Sequence, residues 1–338
     1  MNLPNPLLFI PLFVAFWVTY LVLPGWIKKA RKFGLTGKNM NKLGKEKIAE
    51  AGGITVIAGF VLGAFIYIAI KTFYFSSKDN LIEIFSLISV VLIFAFIGIV
   101  DDLLGWKKGL SRKFRLFLCL FASVPLIVIN AGNGGIDIPF IGVVNAGFLY
   151  PLVLIPIGVV GASTTFNFLA GYNGLEAGQG ILILSSLSLI SYLNQDRWLA
   201  LIGLCLVFSL IAFWIFNKFP ARVLPGDVIT YPIGGLIAIM AIFGGIEKIA
   251  FFFFIPYILE VVLKLRGRLE KQSFGKPNRD GSLDLPYDKI YGLEHLAIKV
   301  IKKIKGKVYE KDVVFYIHLL QLFIILLGFF IFRKSIFV

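Results

Sequence analysis

This 338-residue chain is poor in the residues on which soluble enzymes commonly rely. It has two cysteines, Cys119 and Cys205, each inside an apolar run, which argues against a disulfide framework or a cysteine zinc site. Of its two histidines, His318 lies in the last apolar run, a setting for an interhelical hydrogen bond. The other, His295, sits in the amphipathic segment Tyr291-Gly-Leu-Glu-His-Leu-Ala-Ile-Lys299, so a histidine-dependent hydrolase or two-histidine zinc site lacks support. Charged residues make up only 16% of the chain, against roughly a quarter in soluble domains. No Walker A pattern is present, which removes support for a P-loop ATPase. No nucleic-acid module or interleaved basic and aromatic pattern occurs either, so no nucleic-acid partner is expected. The first apolar stretch has no basic segment before it and reads as a retained span, not a cleaved signal peptide.

What fills the chain instead is hydrophobic sequence, at 58% of residues. Runs long enough for about 30 Å of hydrocarbon lie near residues 5–26, 54–70, 82–100, 114–130, 147–166, 180–194, 199–216, 229–244, 248–264 and 313–332. Serines 185, 186, 188 and 191 dilute the sixth. The expected fold is all-α: one polytopic membrane domain over 1–338, about ten spans, with a basic loop at 265–312.

Alternate loops concentrate cations. Lys28, Lys29, Arg31, Lys32, Lys38, Lys42, Lys45 and Lys47 lie in the first, and Lys107, Lys108, Arg112, Lys113 and Arg115 in the third. The positive-inside rule puts these loops in the cytoplasm of a cell-membrane protein and both termini outside. The net charge of +15 has two readings: topology with attraction to anionic headgroups, or recruitment of a substrate bearing several phosphates.

Four polar islands interrupt this apolar chain: Ala49–Gly53, Gly98–Asp102, Phe166–Gly180 and Pro220–Asp227. Hydrocarbon penalises unpaired polar groups by several kcal/mol, so such stretches must be covered by protein or face a water-filled site. The expected topology brings all four to the cytoplasmic side. Each also has a structural reading. Asp101-Asp102 is either a solvated helix end, although a C-terminus disfavours negative charge, or a site for Mg²⁺ or phosphate. Asp227 after Gly226 reads equally as an N-cap; Glu176, Gln179 and Glu50 read as caps of their own helices.

The runs Asn173-Gly-Leu-Glu-Ala-Gly-Gln179 and Pro220-Ala-Arg-Val223 with Gly226-Asp227 are ordered along the chain after Lys38-Asn-Met-Asn-Lys42. In these motifs the chain resembles the polyprenyl-phosphate N-acetylhexosamine-1-phosphate transferases, and looks closest to their dolichol-using branch. The resemblance implies transfer of a sugar 1-phosphate from a UDP-sugar to a polyprenyl or dolichyl phosphate, with UMP released and Mg²⁺ or Mn²⁺ required. It also implies roles: Asn167 and Asp227 hold the metal, and Asp101 and Asp102 position the lipid phosphate or act as base. Gly171 and Asn173 lie near the uracil, with Glu176 in the same substrate-binding run, and Glu50 lies near the sugar nucleotide. Where the family commonly has a lysine after the acid pair, this chain has Arg115, with Lys113 as a competitor. The family's histidine- or arginine-rich ninth-loop motif has no clean match; Arg266, Arg268, Lys271, Lys276 and Arg279 are the cations available to bind substrate there. The sugar, the lipid length and a homodimer stay open. So do an undecaprenyl-phosphate transferase and, in a different class, a secondary transporter of a phosphorylated solute.

Overall fold

The computed structural model describes residues 5–44, 46–105, 109–132, 134–138 and 142–337; Lys45, Lys107 and Lys108 of the basic loops lie outside these. In chain order the helices are α1 (Ile10–Lys32), α2 (Gly53–Ala69), α3 (Leu81–Leu104), α4 (Arg112–Ala122), α5 (Val124–Val128), α6 (Ile155–Phe166) and α7 (Leu175–Leu193). They continue as α8 (Arg197–Asn217), α9 (Asp227–Gly244), α10 (Glu247–Phe253), α11 (Ile255–Arg266), α12 (Leu293–Lys305), α13 (Glu310–Ile331) and the short α14 (Arg333–Ile336). The only strands among the described residues form three two-stranded antiparallel hairpins. The chain is thus an all-α polytopic membrane protein.

Seven helices among the described residues are long and apolar enough to cross a membrane: α1, α2, α3, α7, α8, α9 and α13, the first two with their flanking turns. The other three expected runs are built from broken or shortened pieces, and proline marks each restart. Pro125 opens α5 directly after α4 ends, and Pro256 opens α11 after α10 ends. Tyr150–Phe166 is a shorter apolar helix whose first, π-helical turn carries Pro151, with Pro156 at the start of α6. Proline supplies no amide to the preceding turn and its ring crowds that turn's carbonyl, so a helix restarts there more readily than it continues. The 12 residues of α6 rise only about 18 Å, short of a full hydrocarbon crossing.

Burial orders the bundle. The apolar window of α9 is 83% buried, whereas those of α1 and α13 are 28% and 33% buried, which makes α9 the central post and the other two its lipid-facing flanks. Exposed Phe13, Trp17, Phe323 and Phe330 on those flanks suit hydrocarbon. Gly98 on α3 is what lets α9 come close: a Cβ there would lie 2.4 Å from the backbone of Asp227 and Val228. The first turn of α9 therefore sits directly against the end of α3.

Candidate active site

Backbone pairing first joins two of the polar islands. Leu224 donates its amide to Ala49 O at 2.8 Å, and Gly52 and Gly53 donate theirs to Leu224 O and Pro225 O at 3.1 and 3.0 Å. Glu50 is carried in this clasp, with burial raising its carboxyl above the usual carboxylate range. It does not cap α2, whose N-cap residue is Gly52.

The third island enters through Asp102. Gly226 is the N-cap of α9 and offers no side-chain acceptor, so the first amides of that helix need an outside partner. Asp102 provides it: Oδ1 accepts from Asp227 N at 2.8 Å and Oδ2 from Val228 N at 3.2 Å. The cap of α9 is thus Asp102, and Asp227 is left to do something else.

Asp227 faces a mixed set of partners. Its Oδ1 accepts from Asn167 Nδ2 at 3.0 Å, and its Oδ2 lies 3.8 Å from Arg115 Nη1. Asn167 is placed by the C-terminus of α6, which it caps. Arg115 Nη2 also pairs with Asp101 Oδ2 at 2.9 Å, while Asp101 Oδ1 accepts from Leu110 N at 2.6 Å. One guanidinium therefore bridges two carboxylates, a third lies alongside, and the buried Arg115 Nε has no protein partner. Lys113 is solvent-exposed on the same helix. Residues two apart on a helix face different directions, so α4 presents Arg115 to the carboxylates and Lys113 elsewhere.

The fourth island forms a tight turn leading into α7. Glu176, 4% exposed, does not cap α7 through its side chain; its Oε1 accepts from Gly171 N at 2.7 Å. Gln179 likewise reaches away, donating to Ile317 O on α13 at 3.4 Å. Asn173 is buried, and its amide donates to Glu310 Oε1 at 2.8 Å. Gly171 has φ +101°, and a Cβ there would meet the Phe274 ring at 2.5 Å, so a glycine is needed on both counts.

Comparison with known proteins decides the lineage. The model of glycosyl transferase family 4 matches residues 84–245, which hold Asp101, Asp102, Arg115, Asn167, Asn173, Glu176 and Asp227. A Saccharolobus solfataricus protein is 37% identical over 86% of this chain and 88% of its own length. It carries the provisional name UDP-N-acetylglucosamine–dolichyl-phosphate N-acetylglucosaminephosphotransferase. The chain belongs to glycosyl transferase family 4. A Sulfolobus acidocaldarius protein with the same provisional name is 34% identical, over 86% of this chain and 87% of its own length. The Dictyostelium discoideum UDP-N-acetylglucosamine–dolichyl-phosphate N-acetylglucosaminephosphotransferase is 27% identical, over 72% of this chain and 67% of its own.

In this family 4 chain the ninth-loop cations stand apart from the carboxylates. Arg266, Arg268, Lys271, Lys276 and Arg279 are all exposed. Among the described residues none forms an ion pair with Asp101, Asp102 or Asp227. Lys271 lies over the rings of Tyr287 and Tyr291, 5.0 and 5.9 Å from their centroids. What the loop does place near the turn is Ser273–Gly275: Tyr172 donates its hydroxyl to Ser273 O at 3.2 Å, and Phe274 covers Gly171. Beneath it lies a polar core that the sequence did not reveal. Glu260 accepts from Leu293 N at 2.6 Å and pairs with Lys264 at 3.5 Å, and Lys264 also contacts Ser273 Oγ. Glu294 and His295 are fully buried beside them; burial holds the Glu294 carboxyl well above its usual range and pushes the His295 imidazole down to about 4.

Glu310 and Asn41 were also missed. Glu310 directly precedes an apolar run and reads from sequence as an ordinary helix-dipole partner. Asn41 sits in the Lys38–Lys42 motif without any chemistry of its own to mark it.

Proposed function

We propose that this chain transfers N-acetylglucosamine 1-phosphate from UDP-N-acetylglucosamine to a dolichyl-type polyprenyl phosphate, giving polyprenyl-diphospho-N-acetylglucosamine and UMP. The observation that carries this reading is the junction at Asp227, where Asn167, Arg115 and, through Arg115, Asp101 converge at the end of the most buried helix. The names of its relatives point the same way.

In the reaction, an oxygen of the lipid phosphate forms a bond to the sugar-bearing phosphorus. The bond from that phosphorus to the bridging oxygen breaks, and UMP leaves with the oxygen; the sugar–oxygen bond is untouched. Phosphoryl transfer needs positioning and charge neutralisation more than a strong base. The second pKa of a phosphate monoester is near 6, so the lipid phosphate is already largely dianionic at neutral pH. Arg115 offers its guanidinium to phosphate oxygens, Asp101 orients Arg115, and Asp102 holds the first turn of α9 in register.

Mg²⁺ or Mn²⁺ would suit the Asp227 carboxylate and the side-chain oxygen of Asn167, in a site with one guanidinium against three carboxylates. No group of three or more Asp, Glu, His or Cys forms a cage among the described residues. That suits an ion that takes one or two carboxylates and completes its shell with water and substrate phosphates. Bound there, the ion would neutralise charge on the diphosphate.

The cations of the basic loops support a cytoplasmic face for this site, with both termini outside. A step of this kind suits the start of N-glycan or surface-glycan assembly. The test is UMP release by detergent-purified protein given dolichyl phosphate, UDP-N-acetylglucosamine and Mg²⁺, with Asp227→Ala alongside. Lipid-dependent UMP release, lost in the variant, supports the reading. Turnover only with undecaprenyl phosphate or another UDP-sugar replaces the substrate. No UMP from any pair with folded protein removes the enzyme and leaves transport.

A further inference from the structure

The backbone of the Gly171–Asn173 turn is held by side chains from three other places in the chain. Asn41 donates Nδ2 to Gly171 O at 3.1 Å and accepts from Gly275 N on Oδ1 at 3.1 Å, so it joins the first loop, the turn and the ninth loop. Glu176 accepts from Gly171 N, and Glu310 accepts from Asn173 N at 2.8 Å across 137 residues of sequence. Asn41, Glu176 and Glu310 are 3%, 4% and 4% exposed, so bulk solvent does not compete for these bonds.

Glu310 is the unexpected member. It opens α13, beyond the region matched by the family model, and makes no contact with the carboxylate junction among the described hydrogen bonds and ion pairs. An acid in the first turn of a helix ordinarily serves its own amides. Tyr309 and Asp312 already make a reciprocal cap there, which frees Glu310 to serve the turn. Its Oε2 and the Nδ2 of Asn173 are both buried without a hydrogen bond of good geometry, and Asn39, Asn41 and Lys42 lie close enough to favour the Glu310 carboxylate. A buried amide that loses its acceptor pays its full desolvation, and this turn, with no ladder of its own, is held by such side-chain bonds.

Resting on the reading of this turn as the nucleotide half of the site, we propose that Glu310 is a positioning residue for the UDP-sugar. It fixes the Asn173 turn as a hydrogen-bond acceptor, with Asn41 as its counterpart on the other side. The lipid phosphate and the transfer step do not depend on it. What the turn takes from Glu310 is an acceptor, which glutamine retains and alanine lacks.

The experiment uses full-length purified wild type, Glu310→Ala and Glu310→Gln. UMP release is followed while UDP-N-acetylglucosamine and dolichyl phosphate are varied in turn, and UMP alone is titrated by calorimetry. Glu310→Ala should raise KM for the UDP-sugar and Kd for UMP about tenfold, as expected for one buried hydrogen bond, with KM for dolichyl phosphate unchanged. Glu310→Gln should recover most of the loss. A wild-type KM and Kd in Glu310→Ala, or equal losses in both variants and for both substrates, overturns the proposal. If Glu310→Ala does not fold, Asn41→Asp takes its place: it keeps the acceptor for Gly275 but loses the donor to Gly171, and a wild-type KM there overturns the clasp. If the wild type releases no UMP from any sugar nucleotide, the transferase reading falls, and the UMP titration of the same variants still decides the role of Glu310.

Discussion

Gly98→Ala perturbs the site without touching any side chain in it. The new methyl would lie 2.4 Å from Asp227 C, Asp227 O and Val228 N, against an ordinary contact of 3.4 Å or more. All three are backbone atoms of the first turn of α9, so no side chain can rotate away. The two helices must part by about 1 Å, a displacement that costs about a hundredfold in rate when it misplaces a reacting group. Asp227 moves with its own backbone and so changes its distances to Asn167 and Arg115. The same strain costs about 1–3 kcal/mol of stability, partly offset by up to about 1 kcal/mol from replacing a helical glycine. Gly25→Ala on α1, with nothing within 4 Å of its Cβ position, is the control. The assay is UMP release over a range of UDP-sugar, with thermal stability measured on the same samples. Gly98→Ala should lose kcat about a hundredfold while UMP still binds, and Gly25→Ala should match wild type. Wild-type kcat in a folded Gly98→Ala protein would refute the claim that the α3–α9 contact sets the position of Asp227.

Arg115→Ala should cut kcat by about a hundredfold or more through loss of the bridge between Asp101 and Asp227, whereas Lys113→Ala should stay within about twofold, both measured by initial rates. Asp102→Ala strands the amides of Asp227 and Val228 and should cost about 1–3 kcal/mol in thermal or denaturant unfolding. Asp102→Asn, which keeps one acceptor, should fall between; an asparagine variant of wild-type stability without activity would show that Asp102 does more than cap. The buried His295, lowered to about 4, is neutral in the folded protein, and the unfolded chain binds its proton from about pH 6.5 downwards. Its contribution to stability is therefore complete above pH 6.5 and lost as pH falls towards 4, so wild type should lose melting temperature over that window more steeply than His295→Gln. EDTA should abolish UMP release and either Mg²⁺ or Mn²⁺ restore it; full activity after dialysis against EDTA would remove the metal from the account.

Polar islands are easy to see in an apolar chain because hydrocarbon gives every carboxylate a reason to be covered. This is why Asp101, Asp102, Asn167 and Asp227 stood out from sequence. Their division of labour did not. Asp102 read as a solvated helix end or a site and Asp227 as a cap or a site, and only the packing of α3 on α9 assigns the cap to Asp102. The choice of Arg115 over Lys113 depends on where α4 begins, a matter of two residues that composition cannot fix. Ten apolar runs were visible as lengths, but the prolines that break the fourth and ninth act on hydrogen bonding, not on hydropathy. Glu310 was invisible because its partner is 137 residues away. The ninth-loop cations could not be ranked from sequence, and in the structure all five are exposed and none pairs with the site carboxylates among the described residues.

The central claim is that the bond broken lies between the two phosphorus atoms of the sugar nucleotide and not at the sugar. UDP-N-acetylglucosamine labelled in its β-phosphate tests it in one reaction with dolichyl phosphate and Mg²⁺. This account predicts that the label enters the lipid product and that the nucleotide released is unlabelled UMP. Labelled UDP, with the sugar alone on the lipid, would contradict it.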